Sequence, residues 1–245
     1  MSGLSWKATG WWLAIITVLL TALFLVYPDI DLRVSAWFYD LDDGFVHAES
    51  ALLQFIRLTL IYTLALFALA SLAMLVRSWL IGKRRAISIN VWGFMVATFL
   101  AGPLFLANSI LKTYWGRARP RDVAPFGGEM SFTPPWLMTD QCDIDCSFVS
   151  GEGSALASGI IVLAIVLWPN LRGIWRWIAA LVVLPLMLLG IALRVIVGAH
   201  FFSDTIFAIL LMALVAWVFY GLFNMQNYRH ALTWTNLKKD LSKPQ

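Results

Sequence analysis

The stretch from Ala192 to Asp204 lies between two long apolar runs, yet it contains three residues that can do chemistry. Ionisable side chains at such a position are costly and usually have a function. If residues 200–204 form the first turn of a helix, His200 and Asp204 lie one turn apart on one face. The carboxylate can then orient the imidazole through one ring nitrogen and leave the other nitrogen free to attack. Arg194 adds a planar fork that binds phosphate or carboxylate oxygens.

A second motif follows the third apolar run and reads K-x6-R-P, with Lys112, Arg119 and Pro120 at its fixed positions. Lysine supplies a mobile point charge, and arginine supplies a bidentate fork. Together they can neutralise a phosphoryl group and stabilise the charge of its transition state. Taken alone, such a motif is also a common juxtamembrane basic cluster, and His200 and Asp204 alone could simply satisfy each other.

A third segment, 147–154, opens the fourth apolar run with the sequence SFVSGEGS. Ser150 is expected to cap the helix, and the glycines that follow, beginning with Gly151, let the backbone approach a ligand closely. The free N–H groups of a helix amino terminus bind anions. The alternative is an ordinary capped helix start without a ligand.

Composition places these motifs in a membrane. Of the 245 residues, 60% are hydrophobic and only 13% are charged, and the mean hydropathy is +0.78. Several apolar runs reach the length that spans a bilayer. We therefore expect an all-α polytopic membrane protein, a single domain over 1–245 with six transmembrane helices and a tail from about 224. The expected spans are 11–27, 58–76, 89–110, 154–168, 176–193 and 203–223.

The charges predict the orientation of these spans. Lys and Arg concentrate before the first span, in the second and fourth loops and in the tail, whereas thirteen of the fourteen acids lie in the alternate stretches. The positive-inside rule then puts both termini in the cytoplasm and all three motifs at the outer ends of spans. The remaining basic residues lie on the outer side and need an anionic partner, for which a phosphate is the simplest choice: Arg33, Arg57, Lys112, Arg117, Arg119, Arg121 and Arg194.

The three motifs together resemble the type 2 phosphatidic acid phosphatase family, whose signature is K-x6-R-P, then P-S-G-H, then S-R-x5-H-x3-D. The first motif is complete here, and the third departs only where Leu193 replaces Ser. The middle motif departs twice, because Val149 replaces Pro and Glu152 replaces His. The resemblance covers residues 112–204 by motif and the whole chain by its six-span layout.

The resemblance implies a phosphatase mechanism. His200 would attack phosphorus and form a phosphohistidine that water hydrolyses, while Asp204 would orient His200 and stabilise its positive charge. The phosphate would be held by residues from all three motifs: Lys112, Arg119, Arg194, the backbone at Ser150 and Gly151, and, as an additional candidate, Arg117. No metal or other cofactor is expected, because side chains supply the cations and the sequence contains no metal-ligand cluster.

Glu152 occupies the position of the family's proton donor to the leaving oxygen. Either Glu152 is the general acid, which requires that it hold a proton beside the substrate, or it is a salt-bridge partner. A neighbouring phosphate favours the protonated form, whereas the helix amino terminus and nearby arginines favour the carboxylate. The sequence leaves these alternatives open, and His47 is a less favoured substitute.

The expected substrates are membrane-anchored phosphates, reached from the periplasmic face of a bacterial inner membrane. Family members of this size act on phosphatidylglycerol phosphate, undecaprenyl pyrophosphate or the phosphates of lipid A. The first outer loop, with SAWFYD at 35–40, most resembles that of the lipid A phosphatases. A lipid-phosphate binder or transporter is the alternative from another class, but the repeats and paired broken helices of transporters are not evident.

Membrane lipids are the expected partners. The net charge of +4 does not indicate nucleic acid, because topology partitions the basic residues, and the oligomeric state is not indicated.

Cys142 and Cys146 both lie in the large outer loop, 111–153. Disulfides persist on the outer side of the membrane, and the short spacing allows a small closed ring that would shape the rim of the site. Two free thiols are the alternative.

Overall fold

The structure, a computed structural model, describes residues 5–82 and 85–242 and consists of helices joined by short irregular segments. Among these residues, six helices are long and apolar enough to cross a membrane, which confirms the predicted fold class. They are α1 (Trp6–Val26), α3 (Ala51–Leu80), α4 (Ile89–Tyr114), α5 (Gly151–Asn170), α6 (Ile174–Ile196) and α7 (Phe202–Leu222). The shorter helices are α2 (Ile30–Ala36), α8 (Met225–Tyr228) and α9 (Trp234–Ser242), and β1 (Tyr39–Asp40) pairs with β2 (Gly44–Phe45) in one antiparallel hairpin.

Most of the transmembrane helices extend beyond the apolar windows that predicted them, whereas α7 has the predicted length. Helix α3 runs over Ala51–Leu80, where the sequence predicted 58–76, and it therefore contains Arg57 and Arg77. Both arginines have partners that make their position in a helix tolerable: Arg57 pairs with Glu152, and Arg77 Nε donates to the Asp240 carbonyl over 2.9 Å. Hydropathy alone ends a span at such residues, because it does not register a neutralising neighbour. Three basic residues in the predicted charge pattern, Lys83, Arg84 and Lys243, lie outside the described residues.

Serine side chains cap several of these helices, because a hydroxyl oxygen can accept from the free N–H groups of a first turn. Ser5 caps α1 and Ser50 caps α3. Ser150 caps α5 and accepts from the Gly153 N–H over 3.1 Å, as the sequence predicted.

Helix α4 widens into π-helical geometry over Leu100–Leu111, around Pro103. Proline has no backbone N–H and interrupts the regular ladder, so a wider turn accommodates it. The Asn108 side chain donates to the Pro103 carbonyl over 2.7 Å within this segment. This segment leads directly to Lys112, so its geometry sets where that side chain projects.

The core lies between α4, α5 and α7, and buried apolar residues run along it from one end to the other. At the end away from the motifs, Phe94 and Met95 pack with Val162. At the motif end, Phe148 and Phe207 are fully buried and close the core beneath the large loop. The packed aromatic layer gives the motifs a rigid floor.

Candidate active site

The three motifs, which are far apart in sequence, meet at one end of the helix bundle. Lys112 lies in the last turn of α4, and Arg194 lies in the last turn of α6. Ser150 caps α5, and Asp204 lies in the first turn of α7. Backbone contacts tie these ends together: the Ser150 N–H donates to the Asp204 carbonyl over 3.3 Å, and the Cys146 N–H donates to the Lys112 carbonyl over 3.3 Å.

His200 is held by a backbone carbonyl. Its side chain is only 2% exposed, and Nδ1 lies 2.7 Å from the Ser147 carbonyl oxygen, whereas the nearest Asp204 oxygen is 3.9 Å away. Because a carbonyl only accepts, Nδ1 carries the proton in the neutral ring, and Nε2 keeps its lone pair. The sequence predicts that Asp204 makes this orienting bond. Motif spacing identifies side chains that lie close together, but it does not identify a backbone carbonyl from a distant loop.

The charge state of His200 also suits a nucleophile. Burial lowers the pKa of His200 well below its usual value, and the positive charges of Lys112, Arg194 and Arg119 lower it further. The imidazole is therefore neutral near pH 7, and its free nitrogen can attack.

Asp204 is fully buried and accepts hydrogen bonds on both oxygens. Oδ2 accepts from the Phe201 N–H over 2.8 Å and from the Ser147 hydroxyl over 2.5 Å, and Oδ1 accepts from Arg117 over 2.5 Å. Ser147 thus connects the pair, because its hydroxyl binds Asp204 while its carbonyl binds His200. The sequence gave no signal for this role of Ser147 beyond its place at the start of the middle motif.

The two cations of the first motif converge on one carboxylate. Lys112 Nζ lies 2.5 Å from one Asp145 oxygen, and an Arg119 nitrogen lies 2.5 Å from the other. The cations are 12% and 13% exposed, whereas the Asp145 side chain is 63% exposed. Burial by itself would raise the pKa of Asp145, but its hydrogen bond to Lys112 and the charges of both cations lower it. An ionised carboxylate therefore lies where the sequence predicted a phosphate.

Asp145 lies within a small covalent ring. The structure joins Cys142 to Cys146 by a disulfide, with Cα atoms 5.6 Å apart. Asp145 has a φ of 56°, a left-handed conformation that aspartate tolerates better than most side chains. The ring thus sits at the rim of the site, beside the two cations.

Glu152 is paired with two arginines. Arg57 Nε lies 2.8 Å from one oxygen, and a second nitrogen of the same guanidinium contacts the other oxygen. Arg194 Nη1 lies 3.5 Å from Glu152 Oε2. The sequence identified Arg57 only as a basic residue on the outer side, and the structure makes it the main partner of Glu152.

Helix α5 approaches α4 closely at Gly151. A Cβ added at Gly151 would lie 2.2 Å from Asn108 Oδ1, so the Asn108 side chain would have to move. The close approach places the first turn of α5, with Ser150 and Gly151, beside the carboxyl end of α4.

Arg117 does not join the cations that face the site. Its side chain is 0% exposed, and its donors reach Asp31, Asp204, Ser203 and the Thr133 carbonyl. The guanidinium is enclosed by these partners, so we do not place Arg117, the additional phosphate ligand suggested by the sequence, among the residues that face the site.

Carboxylates partner all seven basic residues for which the sequence suggested a phosphate. The pairs are Arg33 with Asp29, Arg57 and Arg194 with Glu152, Lys112 and Arg119 with Asp145, Arg117 with Asp31 and Asp204, and Arg121 with Asp122. Within the described part of the chain, no group of three or more His, Cys, Asp or Glu residues could hold a metal ion.

The chain is similar in sequence to known proteins. The family model described as "PAP2 superfamily" matches residues 90–228, a stretch that contains all three motifs. The chain is 31% identical to the lipid A 4'-phosphatase of Francisella tularensis subsp. novicida over 81% of this chain and 88% of that protein. It is 29% identical to the lipid A 4'-phosphatase of Rhizobium leguminosarum, over 80% and 85% of the two chains, and 30% identical to that of Rhizobium etli, over 79% and 77%. No solved structure is significantly similar.

Proposed function

The chain belongs to the PAP2 superfamily, as its motifs predicted, and from this premise we propose that it is a membrane lipid phosphatase that acts on lipid A. The observation that carries the proposal is the state of His200, whose Nδ1 is engaged by the Ser147 carbonyl while Nε2 keeps its lone pair. Three cations lie around this end of the bundle: Lys112, Arg119 and Arg194. The similarity to lipid A 4'-phosphatases over most of both chains supports the choice of substrate.

The proposed reaction has two steps. His200 Nε2 attacks phosphorus, the bond from phosphorus to the lipid oxygen breaks, and a phosphohistidine forms. Water then attacks the phosphohistidine and releases inorganic phosphate. Lys112, Arg119 and Arg194 neutralise the charge on the phosphoryl oxygens. Asp204, 3.9 Å from the ring, stabilises the positive charge that His200 gains.

We propose that Glu152 acts as an ion-pair partner, the second of the two alternatives left by the sequence. Its two oxygens are engaged by Arg57, and the carboxylate form is favoured beside two guanidinium groups. In this role Glu152 holds Arg194 toward the site. The family's proton donor then has no direct replacement, and the leaving oxygen takes its proton from water.

The proposed location is the inner membrane, with the site on the periplasmic face and both termini in the cytoplasm. Single cysteines placed at 83 and 143, in a background lacking Cys142 and Cys146, test the orientation with an impermeant thiol reagent. We expect labelling at 143 and not at 83 in cells whose outer membrane has been permeabilised. Labelling at 83 alone would reverse the orientation.

A substrate panel tests the activity. The purified protein is given lipid A, undecaprenyl pyrophosphate and phosphatidylglycerol phosphate in detergent, and released phosphate is measured. We expect the highest kcat/KM with lipid A, no turnover with His200→Ala, and persistence of activity in a chelator because side chains supply the cations. Preference for either of the other lipids would change the substrate, and lipid binding without phosphate release would indicate a binder or transporter.

A further inference from the structure

Asp31 lies beneath the catalytic pair, although it belongs to none of the three motifs. It projects from α2, and its side chain is 0% exposed. One oxygen accepts from the Ser203 N–H over 2.8 Å. The other accepts from the Ser203 hydroxyl over 2.5 Å and from Arg117 over 2.8 Å. Asp31 thus contacts the first turn of α7 and the guanidinium that binds Asp204.

The charges of this group do not cancel. Asp31, Asp204 and Arg117 are all enclosed, with side chains 0% exposed, so two carboxylates share one guanidinium. A buried charge without a partner is strongly destabilising. His200, 3.9 Å from Asp204, is the nearby group that becomes positively charged during the proposed reaction.

Without Asp31, Arg117 would reduce the electrostatic stabilisation that Asp204 gives to a positively charged His200. Its guanidinium lies 2.5 Å from Asp204 Oδ1, so an Arg117–Asp204 pair without Asp31 would be neutral as a unit. A neutral pair would not offset the positive charge that His200 gains. Asp31 binds the opposite nitrogen of the same guanidinium and restores the net negative charge.

On the basis of the proposed phosphohistidine reaction, we propose that Asp31 is a positioning residue that neutralises Arg117 and so keeps the negative charge of Asp204 available to His200. Asp31 touches neither substrate nor reacting atom. Its effect should therefore appear in kcat, whereas the phosphate ligands, which it does not contact, determine KM.

The first test is Asp31→Asn in the full-length protein, assayed for phosphate release from lipid A. The amide keeps the shape and can still accept from the Ser203 N–H, but it removes the charge. We expect kcat to fall by about tenfold to a hundredfold with KM almost unchanged. This is less than the loss of about a hundredfold to a thousandfold found when a direct donor to the transition state is removed, because Asp31 acts through Arg117. The matched control is Asp29→Asn, because Asp29 lies just before α2 and pairs only with the exposed Arg33 among the described residues; it should retain wild-type kcat.

Charge compensation separates this role from simple anchoring of α2. The double variant Asp31→Asn with Arg117→Gln has the same net charge as the wild-type group but fewer hydrogen bonds. We expect its kcat to exceed that of Asp31→Asn by about tenfold, because the coupling of charges in contact is of this size. If Asp31 only anchors α2, the second substitution would lower activity and yield further.

The double variant also serves if Asp31→Asn fails to fold, because it buries fewer charges. A folded double variant as inactive as His200→Ala would overturn the inference, as would an unchanged kcat in folded Asp31→Asn. Wild-type protein that releases phosphate from none of the lipids would overturn the proposed function and this inference together. Active wild type with an insensitive Asp31 would overturn this inference alone.

Discussion

Arg117 and Arg119 stand two positions apart in one motif, yet they belong to ion-pair clusters that differ in depth. Arg117 lies in an inner cluster with Asp31, Ser203 and Asp204, and its side chain is 0% exposed. Arg119 lies in an outer cluster with Lys112 and Asp145, whose carboxylate is 63% exposed. Removing a partner from a buried pair leaves a charge that water cannot reach, which costs about 3–5 kcal/mol. An exposed pair contributes only about 0–1 kcal/mol.

This difference separates fixed contacts from replaceable ones. The inner cluster has no access to solvent, so no ligand can enter it, and its arginine serves the catalytic pair. In the outer cluster, solvent reaches the carboxylate, and a phosphate with more charge and more oxygens can replace it. Of two arginines in one motif, Arg117 is therefore enclosed by protein groups, whereas Arg119 lies in the cluster to which we assign the phosphate.

The largest expected effect tests the inner cluster. Asp204→Asn keeps the shape but removes the charge nearest His200, so we expect kcat to fall by about a thousandfold to ten-thousandfold, as in other catalytic pairs that lose their carboxylate. KM for lipid A should change little. Steady-state kinetics with His200→Ala as the floor measure the effect, and a loss confined to KM would contradict the distinction between the clusters.

A smaller effect is expected from the cations of the outer cluster. Arg119→Ala should lower kcat/KM by about a hundredfold, because one preorganised donor to the phosphoryl group is lost. Arg121→Ala is the matched control, since Arg121 is two positions further along, is 54% exposed and has its nearest carboxylate at 3.8 Å. Equal losses in the two variants would show that general surface charge, and not the outer cluster, attracts the substrate.

The sequence reveals the three motifs but not the clusters that surround them. Six spans follow from hydropathy, and the meeting of His200 with Lys112 follows from motifs placed at the same ends of spans. The ion pairs of Asp31 and Arg57 could not be predicted, because their partners are distant in sequence and no spacing rule connects them. The role of Ser147 was equally hidden, since it acts partly through a backbone carbonyl that any residue could supply. Asp145 could be read only as one acid among several in a long loop.

The Arg57–Glu152 pair is intermediate in exposure between the two clusters, because the two side chains are 30% and 25% exposed. As an ion-pair partner, Glu152→Gln should lower kcat/KM by about tenfold, the size of a coupled pair in contact. The loss should be equal for p-nitrophenyl phosphate and for a sugar phosphate, whose leaving groups differ in their need for a proton. Arg57→Gln should give a similar loss, and the double variant should add little.

A general acid would behave differently. Glu152→Gln would then slow the sugar phosphate far more than p-nitrophenyl phosphate, and Glu152→His would retain activity. Either result would return Glu152 to the catalytic residues.

The smallest effect is expected at Asp145, where the substitution should improve substrate binding and not weaken it. Because its carboxylate occupies the cations that the phosphate needs, Asp145→Asn should lower KM by about twofold to fivefold, the range that a mostly exposed ion pair allows. kcat should stay constant, since His200 and the inner cluster are untouched. Asp143→Asn is the matched control, because it makes the same charge change inside the same disulfide ring. If Asp145 instead holds Lys112 and Arg119 in the geometry that phosphate requires, KM would rise in Asp145→Asn, and the outer cluster would be preorganised in the same way as the inner one.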